Sequence, residues 1–358
     1  MIFKSKETVD EMDSKVVAQI RALGIDMIQN AKSGHPGIVL GAAPILYTLY
    51  SKHMRIMPKD ASWISRDRFV MSAGHGSALL YATLYMAGYD LSLEDLKNFR
   101  QLDSITPGHP EYGVTPGVDA STGPLGQGVG MAVGMAIGEE YLRATLKARR
   151  EPFVDYYTYV LVGDGDLMEG VSYEALSLAG TLRLSKLIVL YDNNGVSLDH
   201  DTSITFTEDI LKRMSSFGFE VLEVENGEDL LAIDHAIEHA KQSDRPTFIS
   251  IRTTIGKFSK LEGTNQVHGR VLDEEDVLEI KNKLNVRDIP FTVSSEVMEY
   301  FQEEIRERNE AVYERFQKFV STTENKELFS RLQNGNVTIS LKNIKVSGEE
   351  GTPRSLRD

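Results

Sequence analysis

Five short strand-like runs that alternate with helical patterns constrain the fold of this chain more than any other feature. Helices between such runs are typical of βαβ units, in which parallel strands form a sheet with helices on both faces. The sequence therefore predicts an α/β fold with a mostly parallel sheet. Ligands bind beyond the carboxyl ends of the strands in such sheets, so we expect the functional residues in the loops after these runs. The runs are RFVMS (68–72), YTYVLV (157–162), KLIVLY (186–191), FEVLEV (219–224) and TFISIR (247–252).

Helical patterns account for most of the remaining chain. Apolar residues recur on one helical face between Val16 and Ile28, and the apolar run 38–50 is too short to cross a bilayer, which predicts a buried helix. Charged helical segments at 274–284 and 295–319 lead into a polar end. We therefore expect one main domain over residues 1–320 and a linker from residue 321.

Charge and composition exclude several classes of partner. The chain has 358 residues, with 39 Lys and Arg against 53 Asp and Glu, a net charge of −14 that repels nucleic acid. It contains no cysteine, which excludes disulfides and thiolate metal ligands and fits a cytoplasmic protein. The polar N-terminus lacks a signal-peptide pattern, and no apolar stretch is long enough for a membrane span. A phosphorylated ligand would need a metal ion or a local pocket.

The stretch VGDGDLMEG (162–170) follows the second apolar run and places an acid between two glycines. It is not a Walker A loop, because Val171 stands where that loop needs a lysine. It is not a dinucleotide-binding fingerprint either, because Met168 replaces the third glycine.

A second polar segment, YDNN (191–194), ends the next run. The separation in sequence between GDG and YDNN is enough for one crossover helix and a return strand. Asp164 and Asn194 are therefore predicted to end neighbouring parallel strands and to converge. A carboxylate, a carboxamide and a backbone carbonyl, for which Val196 is the candidate, suit Mg²⁺ or Ca²⁺, with diphosphate and water as the remaining ligands. A helix predicted to start near Leu167 would direct N–H donors at the same anion.

Four of the eight histidines lie in glycine-containing loops. Imidazoles can donate to hydroxyls, carbonyl oxygens and phosphate near pH 7, which favours a polyhydroxylated, phosphorylated substrate, although a structural role for any single one stays open. His235 and His239 are interpreted as part of a solvated helix face. The four loop histidines are His35 (SGHPG), His75 (AGHGS), His109 (PGHPE) and His268 (VHGR).

Glycines recur at every fourth position from 126 to 138 within a predicted helix over 126–150. Glycine is unfavourable inside a helix, so the stripe predicts a close backbone approach, either within the domain or across a dimer contact.

Several of these segments, in this order, resemble transketolase. They are KSGHPG, SAGHGSALLYATLYMAGY, LKNFRQLDSITPGHPE, STGPLGQGVGMAVGMAIGE, GDGDLMEGVSYEALSLAGTLRLSKLIVLYDNNGVSLD and TTIG with VHG, and they cover Val16 to about Leu272. TPGHPE together with GPLGQG distinguishes transketolase from 2-oxoacid dehydrogenase α chains. The resemblance implies a transferase of the pentose phosphate pathway that moves a two-carbon ketol unit from a ketose phosphate to an aldose phosphate.

The resemblance also implies a cofactor, thiamine diphosphate, and a role for each matching residue. Mg²⁺ or Ca²⁺ would be held by Asp164, Asn194 and the Val196 carbonyl, and the cofactor by His75, Gly123, Leu125, Gly165 and Asn194. His35, His109 and His268 would hydrogen-bond the ketose and the oxyanion that develops on it. Glu169 would lie at the subunit contact, and the sugar phosphate would be bound by Arg100 and Arg357.

The second domain of transketolase, which binds the pyrimidine ring and supplies the activating glutamate, has no counterpart here. We therefore expect residues 1–320 to be the diphosphate- and metal-binding domain, and 321–358 a linker with the first residues of a missing second domain. The chain would be inactive alone and would need a pyrimidine-binding domain or subunit from another chain, in a homodimer or heteromer. It would then be either a natural subunit or a truncated chain.

Two alternatives stay open. The chain could be a catalytically silent cofactor-binding or interaction protein, or the N-terminal subunit of a split transketolase-like enzyme that uses another sugar. HGRVL (268–272), His200 and the loop GKFSKLEGTNQ (256–266) depart from the usual transketolase pattern and leave the substrate preference undecided.

Overall fold

A single parallel sheet organises the protein. The computed structural model describes residues 1–5, 9–146, 154–197 and 200–321. All strand pairs in the sheet are parallel, and the spatial order is β1-β5-β6-β4-β3-β2. The predicted α/β class and all five predicted strands are confirmed. The strands are β1 (Ile2–Phe3), β2 (Arg68–Met71), β3 (Thr158–Val162), β4 (Leu187–Asn193), β5 (Glu220–Val224) and β6 (Thr247–Arg252).

Helices cover both faces of this sheet. Successive side chains of a strand point to opposite faces, so Tyr159 and Leu161 of β3 enter one hydrophobic core, whereas Val160 and Val162 enter the other. The helices are α1 (Glu11–Ala31), α2 (Pro36–Thr48), α3 (Ser77–Met86), α4 (Leu93–Lys97), α5 (Gln127–Leu146), α6 (Asp164–Met168), α7 (Gly170–Thr181), α8 (Ile210–Ser216), α9 (Leu230–Ala240), α10 (Glu274–Lys283) and α11 (Ser295–Val320).

The core that contains Tyr159 and Leu161 also contains the apolar helices that the sequence predicted. Every residue of α2 is buried, as are the residues of α1 from Val16 to Ile28. Among the residues that the structure describes, no helix is long and apolar enough to cross a membrane.

Internal packing explains the glycine stripe at only one of its positions, Gly126, which directly precedes α5. A Cβ on Gly126 would lie 2.7 Å from the Cβ of Glu169, whereas one on Gly134 would meet no atom within 4 Å in the described part of the chain. The tightest approach in this helix is instead at Gly128, where a Cβ would lie 2.6 Å from the Cα of Ser72. Spacing alone could not identify it, because the contacting residue, Ser72, follows β2 and is far from Gly128 in sequence.

A buried ion pair attaches α10 to α1. Lys281 Nζ lies 2.6 Å from Asp26 Oδ1, and both side chains are almost fully buried. Asp26 also accepts a hydrogen bond from the backbone N–H of Phe291, at 2.8 Å. The ion pair and hydrogen bond therefore hold the segment after α10 against the first helix.

The chain divides into two compact units, Met1–Tyr313 and Glu314–Asp358. The second unit is described only as far as residue 321. The predicted linker over 321–358, the domain division at residue 320 and the proposed phosphate ligand Arg357 stay predictions, because nearly all of that segment lies outside the described residues.

Candidate functional site

A cavity of about 240 Å³ lies at the carboxyl ends of β3, β4 and β6. It forms there because β3 and β4 are hydrogen-bonded neighbours, with Val162 opposite Tyr191, so the segments that follow both strands leave the sheet side by side. Eight of the residues predicted from the sequence line this cavity: His75, Gly123, Leu125, Asp164, Gly165, Asn194, Val196 and His268.

Cavity size does not identify this site. A larger cavity of about 650 Å³ lies beside α1 and the start of α11, and none of the predicted site residues lines it. The smaller cavity is distinguished by its chemistry, since it brings together carboxylates, an amide, imidazoles and glycine-rich backbone.

Asp164 begins α6 directly after β3, so the expectation that the helix starts near Leu167 was wrong by one turn. The chain makes two short helical steps, α6 and α7, instead of one. Asp164 Oδ1 accepts a hydrogen bond from the Tyr191 hydroxyl at 2.5 Å. Asp164 Oδ2 is buried and has no hydrogen-bond partner among the described residues. Burial raises the pKa of Asp164 to about 6, although the hydrogen bond from Tyr191 acts in the opposite direction.

Asn194 is held in a fixed orientation by its neighbours. Its Nδ2 donates to Asp192 Oδ2 at 3.1 Å, and its Oδ1 accepts from the backbone N–H of Val196 at 3.0 Å. Asp192 is itself buried and accepts a hydrogen bond from the Thr253 hydroxyl. These two contacts fix the orientation of the Asn194 amide group.

Asp166 connects three segments that surround the cavity. Its Oδ1 accepts hydrogen bonds from Ser72 Oγ at 2.7 Å and from the N–H of Gly126 at 2.9 Å, and its Oδ2 accepts from the N–H of Gly163 at 3.1 Å. The side chain is 1% exposed. Burial raises the pKa of Asp166 even though these hydrogen bonds act in the opposite direction. The loop that carries Leu125 is thus attached to the end of β3 through a side chain that motif analysis passed over.

Three of the predicted histidines form a compact cluster. The ring centroids are 5.2 Å apart for His35 and His75, 5.5 Å for His35 and His268, and 4.9 Å for His75 and His268. Burial and the neighbouring imidazole of His268 lower the pKa of His35 to about 4 and the pKa of His75 well below its usual value. Burial also lowers the pKa of His268. The cluster is therefore uncharged at neutral pH.

Arg100 and His109 line a separate depression of about 370 Å³. One Arg100 nitrogen donates to Ser33 Oγ at 2.9 Å. The His109 ring lies next to Gly123, where a Cβ would come within 3.2 Å of it, and Gly123 has a φ of +142° that favours glycine. This contact places the depression beside the main cavity. Burial lowers the pKa of His109, with Arg100 contributing in the same direction.

Glu169 and the remaining histidines lie elsewhere. Glu169 is exposed at the start of α7, outside the cavity. His235 is exposed, and His239 pairs with Glu220 at 2.9 Å. His53 is buried beside Asp234, 2.8 Å away, which no sequence pattern indicated.

The donor set at the cavity is mixed. No group of three or more His, Cys, Asp or Glu side chains in the described ranges is arranged to hold a metal ion. A cation would therefore depend on a carboxylate with amide and backbone oxygens, as the sequence predicted, and the partnerless Asp164 oxygen fits such an ion.

Comparison with known proteins gives consistent matches. The family described as "Transketolase, thiamine diphosphate binding domain" matches residues 12–337. A transketolase of Aquifex aeolicus is 51% identical over 306 residues, which are 86% of this chain and 44% of the relative. A transketolase of Bacillus subtilis is 51% identical over 305 residues, or 84% of this chain and 46% of the relative. The chain thus spans less than half the length of these curated relatives.

Solved structures agree with the sequence relatives. Transketolase from Leishmania mexicana superposes with a TM-score of 0.85 at 44% identity, covering 92% of this chain and 49% of that one. A Pichia stipitis transketolase in complex with sedoheptulose 7-phosphate superposes with a TM-score of 0.85 at 43% identity, covering 91% and 48%. The chain therefore belongs to the transketolase family, of which it matches the thiamine diphosphate-binding domain.

Proposed function

We propose that this chain holds thiamine diphosphate and a divalent metal ion as the N-terminal part of a transketolase that transfers a two-carbon ketol unit between phosphosugars. The observation that carries the proposal is Asp164, whose buried Oδ2 has no hydrogen-bond partner among the described residues and which lines the same cavity as Asn194. A bound cofactor would supply the carbanion stabilisation that ketol transfer needs. The residues of this chain would bind it, orient the sugar and exclude water.

Asp164, Asn194 and the Val196 carbonyl are proposed to hold Mg²⁺ or Ca²⁺. The chain is acidic overall, so a metal ion is needed to offset the charge of a diphosphate. Gly165 packs closely on Leu125 in this cavity, since a Cβ at Gly165 would lie 3.0 Å from Leu125 Cδ1, and we propose that the backbone of Gly165 contacts the diphosphate. His75, Gly123 and Leu125 complete the proposed cofactor contacts.

The neutral histidines are proposed to bind the sugar. Uncharged imidazoles present one donor and one acceptor each, which suits hydroxyl groups and a developing oxyanion. His35, His109 and His268 would have this role, with Arg100 near the sugar phosphate at the outer end. Support for phosphosugar substrates comes from Pichia stipitis transketolase, which was crystallised in complex with sedoheptulose 7-phosphate.

A second subunit is proposed to cover the exposed face of α5 and α7. The glycines of α5 leave an open surface at Gly134, and several large apolar side chains lie exposed nearby. Such a patch is typical of a protein contact. Glu169, exposed at the start of α7, is proposed to lie at this subunit contact. The exposed apolar residues are Met131, Ile137, Tyr141, Leu178 and Leu182. We also propose a cytoplasmic location and a pyrimidine-binding domain or subunit supplied by another chain.

Calorimetry with thiamine diphosphate tests the binding step. We expect Mg²⁺-dependent binding by the natural chain, and a loss of more than about tenfold in affinity for Asp164→Asn, because the amide cannot replace an anionic metal ligand. Asp244→Asn, which changes a carboxylate on the surface far from the cavity, should bind like the natural chain. Equal affinity in Asp164→Asn would contradict the proposed metal site.

An assay of ketol transfer tests the reaction. Xylulose 5-phosphate and ribose 5-phosphate would be incubated with the cofactor and Mg²⁺, with and without a polypeptide that supplies the second transketolase domain. We expect product only in the supplemented mixture. Activity of the chain alone would refute the need for a partner, and cofactor binding without any activity would favour the silent binding protein.

A further inference from the structure

Tyr191 is a buried residue of β4 whose hydroxyl is directed at the candidate metal ligand. Its side chain is 2% exposed, and its ring packs against Phe248 of β6 with centroids 5.6 Å apart. The hydroxyl donates to Asp164 Oδ1 at 2.5 Å.

This contact makes the two oxygens of Asp164 unequal. Oδ1 is engaged by Tyr191, whereas Oδ2 is buried without a partner among the described residues. Rotation of the carboxylate to share both oxygens with a cation would break the hydrogen bond and leave a buried hydroxyl unsatisfied. Asp164 is thereby presented as a ligand with one available oxygen.

The number of available oxygens matters for the choice of cation. Mg²⁺ takes six ligands in strict octahedral geometry, whereas Ca²⁺ takes six to eight and accepts both oxygens of one carboxylate. We propose that the Tyr191 hydroxyl restricts Asp164 to one metal-binding oxygen and so shifts the preference of the site from Ca²⁺ toward Mg²⁺. This inference rests on the proposed metal and cofactor site.

Tyr191 could also act on the site through the packing of its ring against Phe248, and this role would affect cation binding differently from the hydroxyl. Loss of packing would weaken binding of both cations by the same factor, because it loosens the site as a whole. Loss of the hydroxyl alone changes the ratio of the two affinities, since only Ca²⁺ gains from the released oxygen. The ratio therefore separates a selectivity role from a structural one.

The test compares the natural chain with Tyr191→Phe, which keeps the ring and removes the hydroxyl. Mg²⁺ and Ca²⁺ would each be titrated by calorimetry at saturating thiamine diphosphate. We expect the ratio of Ca²⁺ affinity to Mg²⁺ affinity to rise by about tenfold, the scale on which residues behind a metal ligand act. The matched control is Tyr300→Phe, which removes a hydroxyl that donates to a carboxylate, Asp13, outside the site. It should leave the ratio unchanged.

The two titrations separate the selectivity role of Tyr191 from the proposed function. An unchanged or reduced ratio in Tyr191→Phe, with metal-dependent cofactor binding intact in the natural chain, overturns the selectivity role and leaves the proposed function standing. Absence of metal-dependent binding in the natural chain overturns both. Circular dichroism would confirm that the variant is folded, and Tyr191→Met, which also lacks the hydroxyl, would provide the same comparison if the phenylalanine variant were unfolded.

Discussion

Replacement of Asp166 by alanine should destabilise the protein and loosen the cofactor cavity. Among the described residues, the change removes the acceptor of the buried N–H of Gly126 and of the part-buried N–H of Gly163, and it also frees the Ser72 hydroxyl. A buried donor without an acceptor costs about 1–3 kcal/mol. Part of this cost is offset because the buried carboxylate is itself desolvated, as its raised pKa indicates. We therefore expect a loss of about 3 kcal/mol in the free energy of unfolding.

Urea denaturation followed by circular dichroism measures this loss, with two variants for comparison. Asp166→Asn keeps the side-chain volume and one acceptor oxygen, so it should lower the free energy of unfolding less than Asp166→Ala does. Ser72→Ala removes one donor and leaves the two backbone contacts in place, so it should cost least, about 1 kcal/mol. The reasoning is refuted if Asp166→Ala costs less than about 1 kcal/mol, or if Ser72→Ala costs as much as Asp166→Ala.

Three further predictions concern charge, pH and the glycine stripe. Lys281→Met should lower the free energy of unfolding by about 3–5 kcal/mol, because it leaves the Asp26 carboxylate buried without its cation. In urea denaturation, the double variant with Asp26→Asn should regain most of this loss. Equal losses in the single and double variants would argue against coupling of the two residues. The pKa of His35 is lowered to about 4 in the folded protein. Between about pH 6.5 and 4, His35 therefore binds a proton in the unfolded chain but not in the folded one. Its contribution makes the free energy of unfolding fall as the pH falls through that range. His35→Gln should flatten this dependence by up to about one proton, and an unchanged slope in urea titrations at several pH values would show that His35 is not desolvated. Gly134→Ala should raise the free energy of unfolding by up to about 1 kcal/mol and weaken self-association in sedimentation experiments. In Gly180→Ala, by contrast, the new Cβ would collide with the Phe217 carbonyl and lower the melting temperature. Unaltered self-association of Gly134→Ala would argue against the exposed face of α5 as the subunit contact.

The sheet was predictable because its strands are apolar and separated by helices. β3 and β4 carry nearly continuous apolar runs, which is the expected pattern for strands covered on both faces, whereas β5 has a glutamate at each of two positions and is only partly buried. β1 escaped prediction because two residues, Ile2 and Phe3, are too short to show any periodicity. The convergence of Asp164 and Asn194 followed from the crossover rule for parallel strands and is confirmed by the pairing of β3 with β4.

The supporting contacts of the site were not predictable in the same way. The partners of Asp166 come from the end of β2 and from the loop before α5, which are far apart in sequence. The contact between Tyr191 and Asp164 depends on the register of β3 against β4, and sequence patterns locate strands more reliably than they locate register. A motif therefore identifies residues that touch a ligand more readily than residues that orient them.

The strand order has a consequence for synthesis of the chain. β6 lies between β4 and β5, so one edge of β4 has no partner until residues 247–252 have left the ribosome. Until then the run LIVLY would expose unpaired backbone along a strongly apolar strand, which is a template for intermolecular pairing. His268 follows β6, so the histidine cluster is completed later still. Release of the nascent chain before β6 emerges would thus yield a product prone to aggregation, even though both candidate metal-binding strands had already been made.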